Sequence, residues 1–258
     1  MLHIQNLQTK IGDKIILDHL QLQIPLGETH LIMGPNGSGK SSLLQVIMGN
    51  PPYETTAELF TWQQQNLLST PNFNRRGIFL IYQQGRSIPG LISEHFLYQI
   101  YKNRILQQSG LSEFEAKKDP EIRFQSGPVR FKQLLRQYCE KLQIDLKLLQ
   151  RGLNEGFSGG EKKKMEILQM LLLEPQLVLI DEIEAGLDTD AFQICHQVLA
   201  EYQAAKSATF LVVSHQVRAL DYFHPQLVYL MKGGQIIKQG DKNLAQQIHQ
   251  FGYQTPSC

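Results

Sequence analysis

The sequence predicts an α/β fold: a core of buried strands and helices, an antiparallel β section beside it, and an inserted helical subdomain. Three observations carry that expectation. A glycine-rich loop, Gly34 to Ser41, stands between a short apolar run, Thr29 to Met33, and helix-type spacing at Leu43, Leu44, Ile47 and Met48. Further short apolar runs, Ile78 to Tyr82, Leu177 to Ile180 and Thr209 to Val213, each stop at polar residues. From Gly85 to Gly156 strand-like runs vanish, and Glu, Lys, Gln and Leu dominate. The organisation read from this is one domain over 1–258, with an α/β core in 1–84 and 161–258 and the helical insertion in 85–160.

Composition sets the outer bounds. The 258 residues suit one or two domains, and 42% apolar with 19% charged residues describes an ordinary globular protein. A net charge of +1 offers no broad basic surface for nucleic acid or an anionic membrane. No uninterrupted apolar run is long enough for a bilayer, and Met1 to Asn6 has no signal-peptide character, so no membrane insertion is expected. Cys139, Cys195 and Cys258 are far apart and lack C-x-x-C spacing, which points to a reducing, cytoplasmic setting. They read as two packing residues and one tail thiol.

Taken in order, residues 2–26 form short apolar runs with a turn signal at Gly12-Asp13, the antiparallel section. Residues 50–76 are polar and turn-rich, with a short strand expected at Glu58 to Trp62. Arg75-Arg76-Gly77 introduces the strand that ends at Gln83. In the insertion, helical spacing appears at Phe96 to Leu106 and Leu134 to Leu149, broken between them by Ser126-Gly127-Pro128. Ser158 and Glu161 have capping-box spacing, and a helix follows until Glu174-Pro175. A further helix is expected from about Asp190 to Ala204. Leu227 to Lys238 reads as a hairpin turning at Lys232-Gly233-Gly234, before a C-terminal helix ending near Gln250.

The chemistry is concentrated at the loop and the strand tips. Gly34-Pro35-Asn36-Gly37-Ser38-Gly39-Lys40-Ser41 is the G-x-x-x-x-G-K-S pattern, in the strand–loop–helix context that it requires. Its glycines let successive N–H groups point at a polyphosphate, and the helix N-terminus that continues into Ser42 adds partial positive charge. Lys40 is placed for the β- and γ-phosphates and Ser41 for Mg²⁺. Gly49-Asn50-Pro51-Pro52 terminates the helix. The pattern and its context predict that this loop binds a nucleoside triphosphate. Asp181 and Glu182 end a buried strand, where Asp181 suits Mg²⁺ through water and Glu182 suits a general base for an attacking water. Gly159 and Gly160 weaken the start of their helix yet bare N–H groups to a docked anion. His215 stands at a strand tip, as Gln83 and Asp181 do.

The order of these pieces resembles the ABC-type ATPase family over nearly the whole chain. Walker A is Gly34 to Ser41, the Q-loop residue Gln83, the signature Ser158-Gly159-Gly160-Glu161, Walker B with its glutamate Leu177 to Glu182, the D-loop Ala185 to Asp188, and the switch histidine His215. The resemblance implies ATP and Mg²⁺, with Ser41, Gln83 and Asp181 organising the metal. It assigns catalysis to Lys40, Glu182 and His215. It also implies transient ATP-dependent pairing of two chains, in which Ser158 to Glu161 and Asp188 of one meet the nucleotide on the P-loop of the other. A narrower resemblance, to the SufC ATPases of iron–sulfur cluster assembly, rests on Ile32 to Ser41, Ile78 to Gln83 with Ile88-Pro89-Gly90, Gly156 to Lys164, Glu166 to Met170, Leu173 to Pro175, Asp181-Glu182, Gly186-Leu187-Asp188, and Asp190-Ala191. It implies SufB-like and SufD-like scaffold partners that the ATPase drives through a conformational cycle. Two departures stand out. Ile11 occupies the position where many members stack an aromatic residue on adenine, and Ile183-Glu184-Ala185 replaces an Asp/Ser-rich segment. The competing expectation is the ATP-binding subunit of a membrane transporter, which uses the same engine. A nucleic-acid-associated member fits poorly, because the chain carries one ATPase domain and no long coiled coil.

Overall fold

The computed structural model describes residues 1–51, 53–71, 75 and 77–253. Pro52, Arg76 and Cys258, each named above, lie outside the described residues. The chain groups into two compact units. The first comprises Met1–Gln83, Pro175–Ile183 and Ala200–Cys258; the second comprises Gln84–Glu174 and Glu184–Leu199. The second unit therefore runs past the 85–160 expected from composition. It takes in the helix after Ser158 because that helix packs on the helices of the insertion.

In the first unit, β1 (Leu2–Ile11) and β2 (Lys14–Ile24) form a long antiparallel pair closed by the turn at Gly12-Asp13. After β3 (Thr29–Met33) and α1 (Lys40–Met48), the chain adds β4 (Glu54–Thr56), β5 (Leu59–Trp62) and β6 (Gln65–Asn66), then β7 (Ile78–Ile81). Strands β4 and β5 both pair with β1, and β6 pairs with β5, so this sheet has the order β2-β1-β5-β6 with β4 on β1.

The second unit opens with β8 (Ile88–Ile92) and α2 (Ser93–Ser109), then α3 (Glu113–Ala116), α4 (Pro120–Gln125) and α5 (Pro128–Leu142). A 3₁₀ turn, Leu146–Gln150, and β9 (Gly152–Leu153) lead to α6 (Gly159–Leu173). Two expectations are corrected here. The helix expected to reach Leu149 stops at Leu142, because Gln143 turns into the left-handed region (φ 50°) and Asp145 caps the separate 3₁₀ turn. Strand structure does not vanish, since β8 pairs antiparallel with β9. Pro89 and Gly90 inside β8, and a partner of two residues, leave no periodic pattern to read. The break at Ser126-Gly127-Pro128 separates α4 from α5, with Pro128 at the first helical position.

The chain then forms β10 (Leu177–Asp181), α7 (Thr189–Lys206), β11 (Thr209–Val213), α8 (Arg218–Phe223), β12 (Leu227–Lys232), β13 (Gln235–Gly240) and α9 (Lys242–Phe251). The central sheet of the first unit has the order β13-β12-β3-β11-β10-β7. Five of its strands run parallel, and β13 is antiparallel on the edge. All residues of β3, β10 and β11 are buried, so their sequences do not alternate, and polar residues stand only at their ends: Thr29 and His30, Asp181, and Thr209. Parallel register has a functional consequence. Val213 pairs with Asp181, Ile32 with Val213, and Ile180 with Ile81, so the segments leaving β3, β7, β10 and β11 emerge on one edge of the sheet. On α1, Leu43, Leu44, Val46 and Ile47 are buried, each leucine worth roughly 1.5–3 kcal/mol.

Candidate active site

The P-loop leaves β3 at Gly34 and enters α1 through Gly39, whose φ of 103° is in the left-handed region. Gly34 passes so close to β12 that a Cβ there would lie 2.1 Å from the Met231 carbonyl oxygen, so only glycine fits. Ser38 N–H donates to the Pro35 carbonyl (3.2 Å), and Gly234 N–H donates to the Ser38 carbonyl (2.9 Å). The β12–β13 turn is thus a buttress for the loop. Its sequence, Lys232-Gly233-Gly234, reads only as a hairpin turn, and the second glycine is the signal that was available for more. The Ser38 Oγ is buried with no hydrogen-bond partner among the described residues, the state of a hydroxyl that a bound anion would satisfy.

Lys40 is 5% exposed, and its Nζ donates to the carbonyls of Gly34 (2.8 Å) and Pro35 (3.0 Å). Burial lowers its pKa, against the opposing pull of the Glu182 and Asp181 carboxylates. The Ser41 hydroxyl donates to Asp181 Oδ1 at 3.0 Å. Both oxygens belong to the hard-donor type that Mg²⁺ prefers, and the structure already brings them together across the sheet. Pro35, Asn36, Gly37 and Ser42 complete the loop and the first turn of the helix.

Glu182 is held both by its backbone and by its carboxylate. Its φ of 45° is a left-handed conformation that a glutamate adopts at a cost of about 1–3 kcal/mol. The bend is held by its own N–H, which donates to the Val213 carbonyl at 3.0 Å. Its two carboxylate oxygens have different partners: Gln83 Nε2 donates to Oε2 at 2.8 Å, and His215 Nδ1 lies 3.3 Å from Oε1. Lys40, Ser41, Gln83, Asp181, Glu182 and His215 all belong to the first unit, on one edge of one sheet.

The remaining predicted residues belong to the second unit. Ser158 and Glu161 form a complete capping box: Ser158 N–H donates to Glu161 Oε2 (2.7 Å), and Glu161 N–H donates to Ser158 Oγ (3.2 Å). A Cβ at Gly159 would lie 2.7 Å from the Gly186 carbonyl oxygen. Glycine is therefore already required at 159 within one chain, beyond any need to expose N–H groups to an anion. Gly160 packs less tightly, with the Ala191 methyl 3.3 Å from where its Cβ would stand. Asp188 Oδ1 accepts from Ala191 N–H at 2.7 Å, capping the start of α7.

A family model described as ABC transporter matches residues 17–185. The chain belongs to the ABC transporter family. Among its relatives, the probable ATP-dependent transporter ycf16 of Cyanidium caldarium is 38% identical over 98% of this chain and 95% of its own length. The probable ATP-dependent transporter SufC of Escherichia coli (strain K12) is 37% identical over 98% of this chain and 97% of its own. A solved dimeric ATP-binding cassette, in a post-hydrolysis state with ADP and Pi, superposes with a TM-score of 0.69 at 21% identity, covering 94% of this chain and 99% of that one. That likeness concerns the fold, a P-loop ABC cassette. This chain is an ABC-type ATPase.

One residue of this ABC-type ATPase escapes sequence reasoning. Arg75 is 9% exposed, and its guanidinium donates to the carbonyls of Val46 (2.7 Å) and Ile47 (2.6 Å) at the end of α1, to that of Thr70 (3.0 Å), and to that of Leu67. Burial pulls its pKa down to about 10, which leaves it charged at neutral pH. Helix α1 has no basic residue in its own last turn, so Arg75 supplies the cation that its C-terminus favours. Nothing in the local sequence around Arg75 announces acceptors that lie up to 29 positions away.

Proposed function

We propose that this ATPase sandwiches ATP between two copies of itself and uses the closure to drive a SufB-like and SufD-like scaffold in iron–sulfur cluster assembly, in the cytoplasm. The observation that carries the enzymatic part is Glu182, bent into place with one carboxylate oxygen on Gln83 and the other near His215, beside the Ser41–Asp181 pair. Lys40 and the loop N–H groups hold the β- and γ-phosphates. Ser41, Asp181 and Gln83 hold Mg²⁺, which when bound offsets the negative charge of the phosphates. Glu182 orients a water and takes its proton as the water oxygen bonds to the γ-phosphorus. The bond from that phosphorus to the β–γ bridging oxygen breaks, and ADP leaves. His215 and Gln83 keep the glutamate aimed and register whether the γ-phosphate is present. Ser158 to Glu161 and Asp188 serve the nucleotide held by the second copy.

The scaffold assignment is supported by the near full-length similarity to the Escherichia coli SufC protein. The transporter reading keeps a specific support, since the relatives are themselves described as probable transporters. Among the described residues no helix is long and apolar enough to cross a membrane. Affinity capture from native soluble and detergent-solubilised membrane fractions, with mass spectrometry of the partners, separates the two. Soluble scaffold proteins that carry or can rebuild an iron–sulfur cluster are the expected result. A polytopic membrane protein in their place makes this chain a transporter subunit.

A further inference from the structure

Two positions after Gln83, the chain meets a side chain that no motif includes. Asn154 is 3% exposed, and its Nδ2 donates to the Arg86 carbonyl at 2.8 Å. Its own carbonyl accepts from Ser87 Oγ, also at 2.8 Å. Gly85 runs directly over it: a Cβ at 85 would lie 3.2 Å from Nδ2 and 3.6 Å from the Glu166 carboxyl carbon. Glu166 is itself paired with Lys163 at 3.2 Å on the buried face of α6. The segment that leaves Gln83 is therefore gripped by Asn154, with the α6 ion pair beneath it. Four positions on from Asn154 stands Ser158, the N-cap of the signature helix.

The residue type argues for more than a turn. Asn154 has φ 59°, which glycine would adopt without cost. Its Oδ1 is buried with no partner among the described residues, a penalty that glycine would also avoid. What asparagine adds here is the bond to Arg86. We propose that Asn154 is a positioning residue that couples the two nucleotide sites of the paired ATPase. Gln83 touches Glu182 at the site on its own P-loop, while Ser158 to Glu161 serve the site on the other copy. Asn154 ties the backbone following the first to the loop that leads into the second, so occupancy of one site biases the other. This rests on the pairing described under Proposed function.

The test compares ATP hydrolysis by the full chain, Asn154→Gly and Ser87→Ala. Asn154→Gly keeps the positive φ and removes the bond to Arg86; Ser87→Ala, at an exposed position, removes the second bond without threatening the fold. The wild-type Hill coefficient is expected near the two-site limit and that of Asn154→Gly about 1, with Ser87→Ala between them. Affinity for a fluorescent ATP analogue, measured in dilute Mg²⁺-free solution, is expected to be unchanged. Wild-type cooperativity retained in both variants overturns the coupling and leaves pairing intact. If Asn154→Gly does not fold, retention in Ser87→Ala alone overturns it. Turnover by the wild type with a Hill coefficient of 1 overturns the pairing itself.

Discussion

Replacing Glu182 by glutamine is expected to lower kcat by on the order of 10²–10⁴-fold while leaving ATP affinity close to the wild-type value. The substitution is nearly isosteric. Its carbonyl oxygen still accepts a hydrogen bond from Gln83, and its amide fills the space near His215, where it donates once the imidazole presents an unprotonated Nδ1, so the Gln83 side of the polar frame survives. What disappears is the capacity to take a proton from water. The left-handed backbone at this position is unchanged, since glutamine meets the same steric limits as glutamate. Steady-state phosphate release together with equilibrium nucleotide binding measures both quantities. A variant that keeps half of the wild-type kcat removes Glu182 from the role of base.

The second large effect is on stability. Arg75→Met keeps the apolar stem but strands the buried carbonyl oxygens of Ile47 and Leu67, and takes one partner from the Val46 carbonyl, which keeps the Gly49 N–H, and from the part-buried Thr70 carbonyl. Each buried acceptor left unsatisfied costs about 1–3 kcal/mol, and the losses at one site overlap, so ~4 kcal/mol is expected in total. Arg75→Lys recovers only part of this, because a single ammonium cannot span acceptors that the guanidinium fork reaches together. The free energy lost also leaves the C-terminal end of α1 without its cation, and α1 is the helix whose N-terminus forms the P-loop. Urea unfolding of wild type and both variants gives the ranking directly. A loss below about 1 kcal/mol for Arg75→Met contradicts the account of this residue.

Much of the active edge was legible because parallel strands are read twice. Their burial on both faces makes Leu177 to Ile180 and Thr209 to Val213 continuous apolar runs, and their register sends every following polar residue to the same edge. Thus Gln83, Asp181, Glu182 and His215 could be grouped from sequence before any distance was known. The capping box at Ser158 and Glu161 was legible for a local reason, since both partners lie within one helical turn. What stayed hidden depends on tertiary approach. Gly234 and Met231 support the P-loop from a hairpin about 200 positions away in the chain. Arg75 finds its acceptors only after α1 and the segment at 67–70 have folded around it. The left-handed turn at Gln143 uses no glycine, so the end of α5 carried no terminator to read. The β8–β9 pair is too short, and too interrupted by Pro89 and Gly90, to show a period of two. Gly159 illustrates the converse case. Its presence invited a functional explanation, and the Gly186 carbonyl supplies a packing one as well.

The central claim is that ATP joins two copies of this chain and that hydrolysis through Glu182 lets them part. Sedimentation velocity of Glu182→Gln, with saturating Mg²⁺–ATP and separately with Mg²⁺–ADP, tests it most directly. The account predicts a dimer with ATP and a monomer with ADP, because the variant closes on the γ-phosphate and cannot remove it. A monomer under both conditions, with nucleotide binding confirmed in the same samples, contradicts it.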